Sequence, residues 1–72
     1  MKYTIFFHNS LYELKEEIDN ATRDEVDAWD WQSFEYTMKQ WPIAIQHVPL
    51  DASYACIMDR SFKVVREWIR ND

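Results

Sequence analysis

The sequence predicts a single α+β domain over residues 1–72, in the order β-α-α-β-β-α. The expected core is a three-stranded, mostly antiparallel sheet with helices packed on one face. Three observations carry that expectation. A β-branched and aromatic run, Lys2 to His8 (K-Y-T-I-F-F-H), opens the chain. Between Ser10 and Trp41, apolar residues recur at helical spacing. After Pro42 the texture changes to short apolar runs of strand length.

In the opening run Tyr3, Ile5 and Phe7 share one face and Thr4, Phe6 and His8 the other. Phe6 among the polar set suits a strand that is central in the sheet or covered on both sides. Ser10 then has Glu13 three residues on, the pattern of a capping box. Leu11, Leu14, Ile18 and Ala21 follow on one side of a helix, with Glu13, Glu16, Glu17 and Asp19 on the other. A break at Asn20–Arg23 makes a hairpin of this helix and the next.

The second helix is expected over Thr22–Trp41. Thr22 and Glu25 repeat the capping box, and Pro42 supplies a stop, because the residue before a proline is pushed away from helical geometry. Trp31, Phe34, Met38 and Trp41 line one side, while Val26, Trp29 and Tyr36 project from the other. Phe34, Tyr36 and Met38 also alternate as a strand would, and length decides for the helix. A helix apolar on two sides is either sandwiched or leaves an aromatic patch for a partner. Ile43–Val48 and Tyr54–Asp59 read as two strands joined by a turn at Pro49–Ser53. Asp59 then caps a last helix, Arg60–Arg70, with Phe62, Val65 and Ile69 as its stripe.

Composition narrows the function classes. The chain has no glycine, which excludes Gly-rich phosphate loops and dinucleotide fingerprints. Its one cysteine, Cys56, forms no internal disulfide and suits a reducing, cytoplasmic setting. Ile5-Phe6-Phe7 is too short for the core of a signal peptide, and no apolar run has membrane-spanning length. The net charge is −5 and unevenly spread: residues 10–35 hold nine acids against Lys15 and Arg23, whereas residues 36–72 hold four acids against five bases.

No pattern specifies a reaction. His8, His47 and Cys56 are of zinc-binding type but lack ligand spacing, so no metal or other cofactor is expected. Cys56 with His47 and Asp51 or Asp59 would be a nucleophilic set, yet Cys56 sits in an apolar run where a thiol is inert. Paired carboxylates are abundant, but so short a chain has little material for a hydrolase cleft, and the protein is expected not to be an enzyme. Arg60, Lys63, Arg66 and Arg70 beside an acidic remainder make a poor footprint for direct nucleic-acid binding.

The acidic face is the remaining signal. Glu13, Glu16, Glu17, Asp24, Asp27, Asp30 and Glu35, with Trp29 and Tyr36 as aromatic anchors, form the expected partner-binding set. Helical neighbours stand about 5–6 Å apart, comparable with the phosphate spacing of a nucleic-acid strand. Such a double row could occupy the basic groove of a nucleic-acid-handling protein, drawn in by long-range attraction. In composition the chain resembles the inhibitor proteins that phages and mobile elements make against host nucleic-acid enzymes. The leading expectation is therefore a non-catalytic, nucleic-acid-mimicking inhibitor of a basic protein partner, with no membrane involved. The alternative is a small homo-oligomeric assembly module, a homodimer being the simplest, in which the acidic helices of one copy meet the basic last helix of another.

Overall fold

β-Branched and aromatic residues place Tyr3–His8 in an extended strand, β1, and Ser10 starts the first helix, α1 (Leu11–Asn20). The computed structural model describes residues 1–71 and continues with α2 (Arg23–Ala28), α3 (Phe34–Gln46), β2 (Tyr54–Asp59) and β3 (Val64–Ile69). The sheet is antiparallel throughout, in the order β1-β2-β3. The α+β class and the three-stranded antiparallel sheet match expectation. The element order does not: it is β-α-α-α-β-β.

Three local readings are corrected. The single helix expected over Thr22–Trp41 is two helices. Thr22 does cap the first, its hydroxyl accepting the Glu25 N–H at 3.2 Å, but Trp29 ends it. Ser33 then starts α3, its hydroxyl accepting from the Tyr36 N–H at 3.2 Å. A serine at the head of an apolar run is a cap signal, and it was masked by the continuous aromatic periodicity on either side of it. The disputed segment Ser33–Lys39 is thus helical from Phe34 onward.

Pro42 lies inside α3 and does not stop it. A proline removes one backbone donor and disfavours helical geometry before it, but the remaining bonds of a long helix can carry the chain through. Ile43–Gln46 is therefore the last turn of α3, where a strand over Ile43–Val48 was expected.

The third correction concerns the C-terminal segment, which is strand β3 in place of the helix expected over Arg60–Arg70. Asp59 captures amides, as an N-cap would, accepting from the N–H groups of Ser61 at 2.8 Å and Lys63 at 3.1 Å. The chain nevertheless reverses, because Phe62 adopts the left-handed conformation (φ 63°), and its N–H donates to the Asp59 carbonyl at 2.9 Å. Asx capture serves a hairpin turn as well as a helix start. Val64, Val65 and Ile69 then favour the extended form that β2 can pair.

Alternation along the strands sorts two faces. Tyr54, Cys56 and Met58 of β2 are buried with Leu14 and Ile18 of α1, and Phe6, Trp29, Phe62 and Val64 pack against that cluster. Ile5 and Ile57, which pair across the ladder, point the other way, toward the side occupied by α3. There the Phe34 ring meets Tyr3 edge-on at 5.2 Å. The helices thus cover both faces, not one. That accounts for every residue of β2 being buried.

Candidate functional site

The acidic side chains lie where helical spacing puts them. Glu13, Glu16, Glu17 and Asp19 of α1, Asp24, Glu25 and Asp27 of α2, Asp30 in the α2–α3 link and Glu35 in the first turn of α3 are all exposed. Few are neutralised within the chain. Glu17 lies 2.7 Å from His8 Nε2, and Glu13 stands 3.6 Å from the buried Nδ1 of that ring, too far for a hydrogen bond. Asp27 pairs with Arg60 at 2.9 Å, and Asp30 accepts from the Gln32 side chain at 2.6 Å. The remaining carboxylates make no salt bridge among the described residues.

The two aromatic anchors expected beside them are placed differently. Trp29 belongs to the core. Its ring packs edge-on against Phe6 at 5.1 Å and lies 6.3 Å from both Trp31 and Phe62. Trp31 is fixed in turn by its indole N–H, which donates to the Val26 carbonyl at 2.6 Å, and by the Arg60 guanidinium 4.8 Å above its ring. These contacts tie α2 and the link after it to the β2–β3 turn. Tyr36, by contrast, is 50% exposed, but it stands on α3, on the opposite side of the sheet from α1.

The basic residues expected on a last helix are dispersed along a hairpin. Arg60 is engaged with Asp27 and Trp31, and Arg70 donates to the carbonyls of Ala52 and Pro49 while lying 5.4 Å from the Trp68 ring. The helix on which acid-to-base pairing between copies depended is absent.

The catalytic sets are not assembled either. Cys56 is fully buried under α1, whereas His47 lines a cleft on the α3 side, so the two lie on opposite faces of the sheet. Burial pushes the Cys56 thiol up to about 11, with the neighbouring Tyr54 hydroxyl opposing the rise and Glu67 adding to it. Burial also raises Tyr54, whose hydroxyl donates to Glu67 Oε2 at 2.6 Å and holds its proton there. Among the described residues no group of His, Cys, Asp or Glu could hold a metal ion, and no helix is long and apolar enough to cross a membrane.

A feature that sequence reasoning missed is a pair of clefts along β1. One, of about 390 Å³, lies between β1 and α3, with Tyr36, Gln40, Ile43 and His47 on its helical wall. The other, of about 250 Å³, lies between β1 and α1, walled by Leu14, Glu17, Ile18 and Trp29. Thr4, Ile5, Phe7 and Asp30 line both, so the clefts meet along the strand. The apolar and aromatic run reads as a strand central in the sheet or covered on both sides; helices do flank both of its faces, but it pairs with β2 alone and lies at the sheet edge. Comparison with protein-family models, with curated proteins and with solved structures gives no match for this chain.

Proposed function

We propose that this protein is a non-catalytic, acidic binding protein that occupies the basic surface of a nucleic-acid-handling protein and blocks it. One observation carries the reading. The carboxylates between Glu13 and Glu35 are all exposed on consecutive elements, and among the described residues His8 and Arg60 alone form ion pairs with them. A compact field of one sign raises the rate of encounter with a basic groove and weakens with salt. Trp29 is partly buried against the core, so the aromatic side chains available to add apolar contact are Tyr36, half exposed on α3, and Tyr12, which is exposed on α1 beside Glu13 and Glu16. A cytoplasmic setting belongs to the same reading, since a buried, unpaired Cys56 is at home in a reducing compartment.

The test is a pull-down from cell lysate at stepped salt, with the retained proteins identified by mass spectrometry. It is run beside a variant carrying Glu16→Lys, Asp19→Lys and Asp24→Lys, residues that make no internal salt bridge. The expected result is a basic nucleic-acid-binding protein retained at low salt, released at moderate salt and lost in the variant. Retention that survives the charge reversal would sink the proposal.

A further inference from the structure

The outer edge of β1, one of the two edges of the sheet, is open over Ile5 and Phe7 and is flanked by helices on both faces. Tyr3 exchanges two hydrogen bonds with Gln32, its N–H donating to the Gln32 carbonyl and its carbonyl accepting the Gln32 N–H, each at 2.8 Å. Those groups therefore point away from β2. Because backbone groups alternate along a strand, the N–H and C=O of Ile5 and Phe7 point to the same open side, while those of Thr4, Phe6 and His8 face β2. No backbone bond outside the regular elements reaches Ile5 or Phe7 among the described residues. Exposed strand edges are usually blunted by a lysine, a proline or a bulge, and Thr4–His8 holds none of these.

The surroundings indicate what could pair there. The edge runs between two walls, α1 on one face and α3 on the other, and both clefts open onto it. A folded second copy would bring its own pair of walls to the same place, whereas a single extended segment brings none. The charges are one-sided: Glu17 and Asp30 line the clefts, and no lysine or arginine does. The α3 cleft offers exposed apolar surface at Phe7 and Ile43, and the α1 cleft is floored by the half-buried Phe6 and the buried Ile18.

We infer that the free edge of β1 binds an extended, basic segment of the partner protein as a fourth strand. The segment forms four main-chain hydrogen bonds, through the N–H and C=O of Ile5 and Phe7. Its apolar side chains enter the α1 and α3 clefts alternately, as strand pleating dictates, and its lysines or arginines meet Glu17 and Asp30. Five residues suffice to cover the edge, which Gln32 closes at the Tyr3 end. The inference rests on the acidic-binder reading for the charge of the partner, and on the open edge for the mode.

The experiment uses the intact protein, amide hydrogen exchange by NMR, and a capped peptide of about seven residues with adjacent Val and Leu residues at its centre, one for each cleft, flanked by Lys or Arg and long enough to overlap the edge. In the free protein the Ile5 and Phe7 amides should exchange much faster than those of Thr4 and Phe6. The basic peptide should slow both by about tenfold or more, and N-methylation of its strand-facing nitrogens should weaken binding by about tenfold. Phe7→Pro should do the same, because it removes an edge donor without touching the ladder to β2. Retained protection at Thr4 and Phe6 would show that this variant is folded.

Slow exchange at Ile5 and Phe7 in the free protein would overturn the inference, as would failure of the peptide to bind at low salt. Peptide shifts confined to α1 and α2 would overturn it while leaving the acidic-surface reading intact. Equal binding of a peptide with Glu in place of Lys and Arg would overturn the basic character of the occupant. A dimer in sedimentation that Phe7→Pro dissociates would overturn it in favour of a second copy. The charge-reversal variant of the preceding section changes residues that line neither cleft, so the two readings fail separately.

Discussion

Truncating Trp29 to alanine discriminates between its expected role as a partner anchor and its position in the core. The ring contacts Phe6, Trp31 and Phe62 and packs against the Leu14/Ile18/Cys56/Met58 cluster. A large aromatic side chain removes about 150–250 Å² from water on burial. Trp29 is partly buried, so about 150 Å² is a fair share, and at about 25 cal/mol/Å² this corresponds to about 4 kcal/mol. Partial collapse of neighbouring rings into the space offsets some of that, leaving an expected loss of about 3 kcal/mol. At about 0.05–0.15 kcal/mol per residue, a 72-residue chain has about 4–11 kcal/mol in all. Trp29→Ala should therefore bring the protein close to its unfolding threshold. Urea titration followed by far-UV circular dichroism measures it, with Tyr36→Ala as the control. Tyr36 is half exposed, and its truncation should cost less than about 1 kcal/mol. A loss below about 1 kcal/mol for Trp29→Ala, with an unchanged denaturant slope, would refute the core assignment.

Two further outcomes follow from the β2–β3 region. At Phe62, alanine and glycine remove the same ring, but only glycine adopts φ 63° without strain. Phe62→Gly should therefore be more stable than Phe62→Ala by about 1 kcal/mol in thermal or urea melts, and the opposite order would contradict the left-handed turn. At Cys56, a thiol raised to about 11 keeps its proton in the folded state while the unfolded chain loses it near pH 9. The unfolded state then binds fewer protons, so stability is full below about pH 9 and falls toward pH 11, by up to about 3 kcal/mol. The same melts on Cys56→Ala should show a shallower alkaline decline, with the share due to Tyr54 remaining; identical slopes would contradict the shift.

Features that depend on near neighbours in the chain are legible in its residues alone. Tyr3–His8 and Tyr54–Asp59 are strands because β-branched and aromatic residues run together there. Ser10 and Thr22 start helices because each hydroxyl can reach an amide three residues on, at 3.1 and 3.2 Å. The exposure of Glu13, Glu16, Glu17, Asp24 and Asp27 follows from the same local pattern, since charged side chains spaced around a helix stay in water unless something covers them.

Tertiary structure decided the rest. Val65 and Ile69 fit a helical stripe as well as one face of a strand, and pairing with the edge of β2 selects the strand. Trp29 and Tyr36 look alike as aromatic residues beside an acidic row. One is partly buried because Phe6 and Phe62, far off in the chain, converge on it; the other is left half exposed at a cleft wall. The open edge at Ile5 and Phe7 exists only because β1 pairs with β2 alone and Gln32 closes just the first residue of its free side. Backbone donors and acceptors are the same in every residue but proline, so which of them remain unpaired along β1 is a property of the assembled sheet and is written in no side chain.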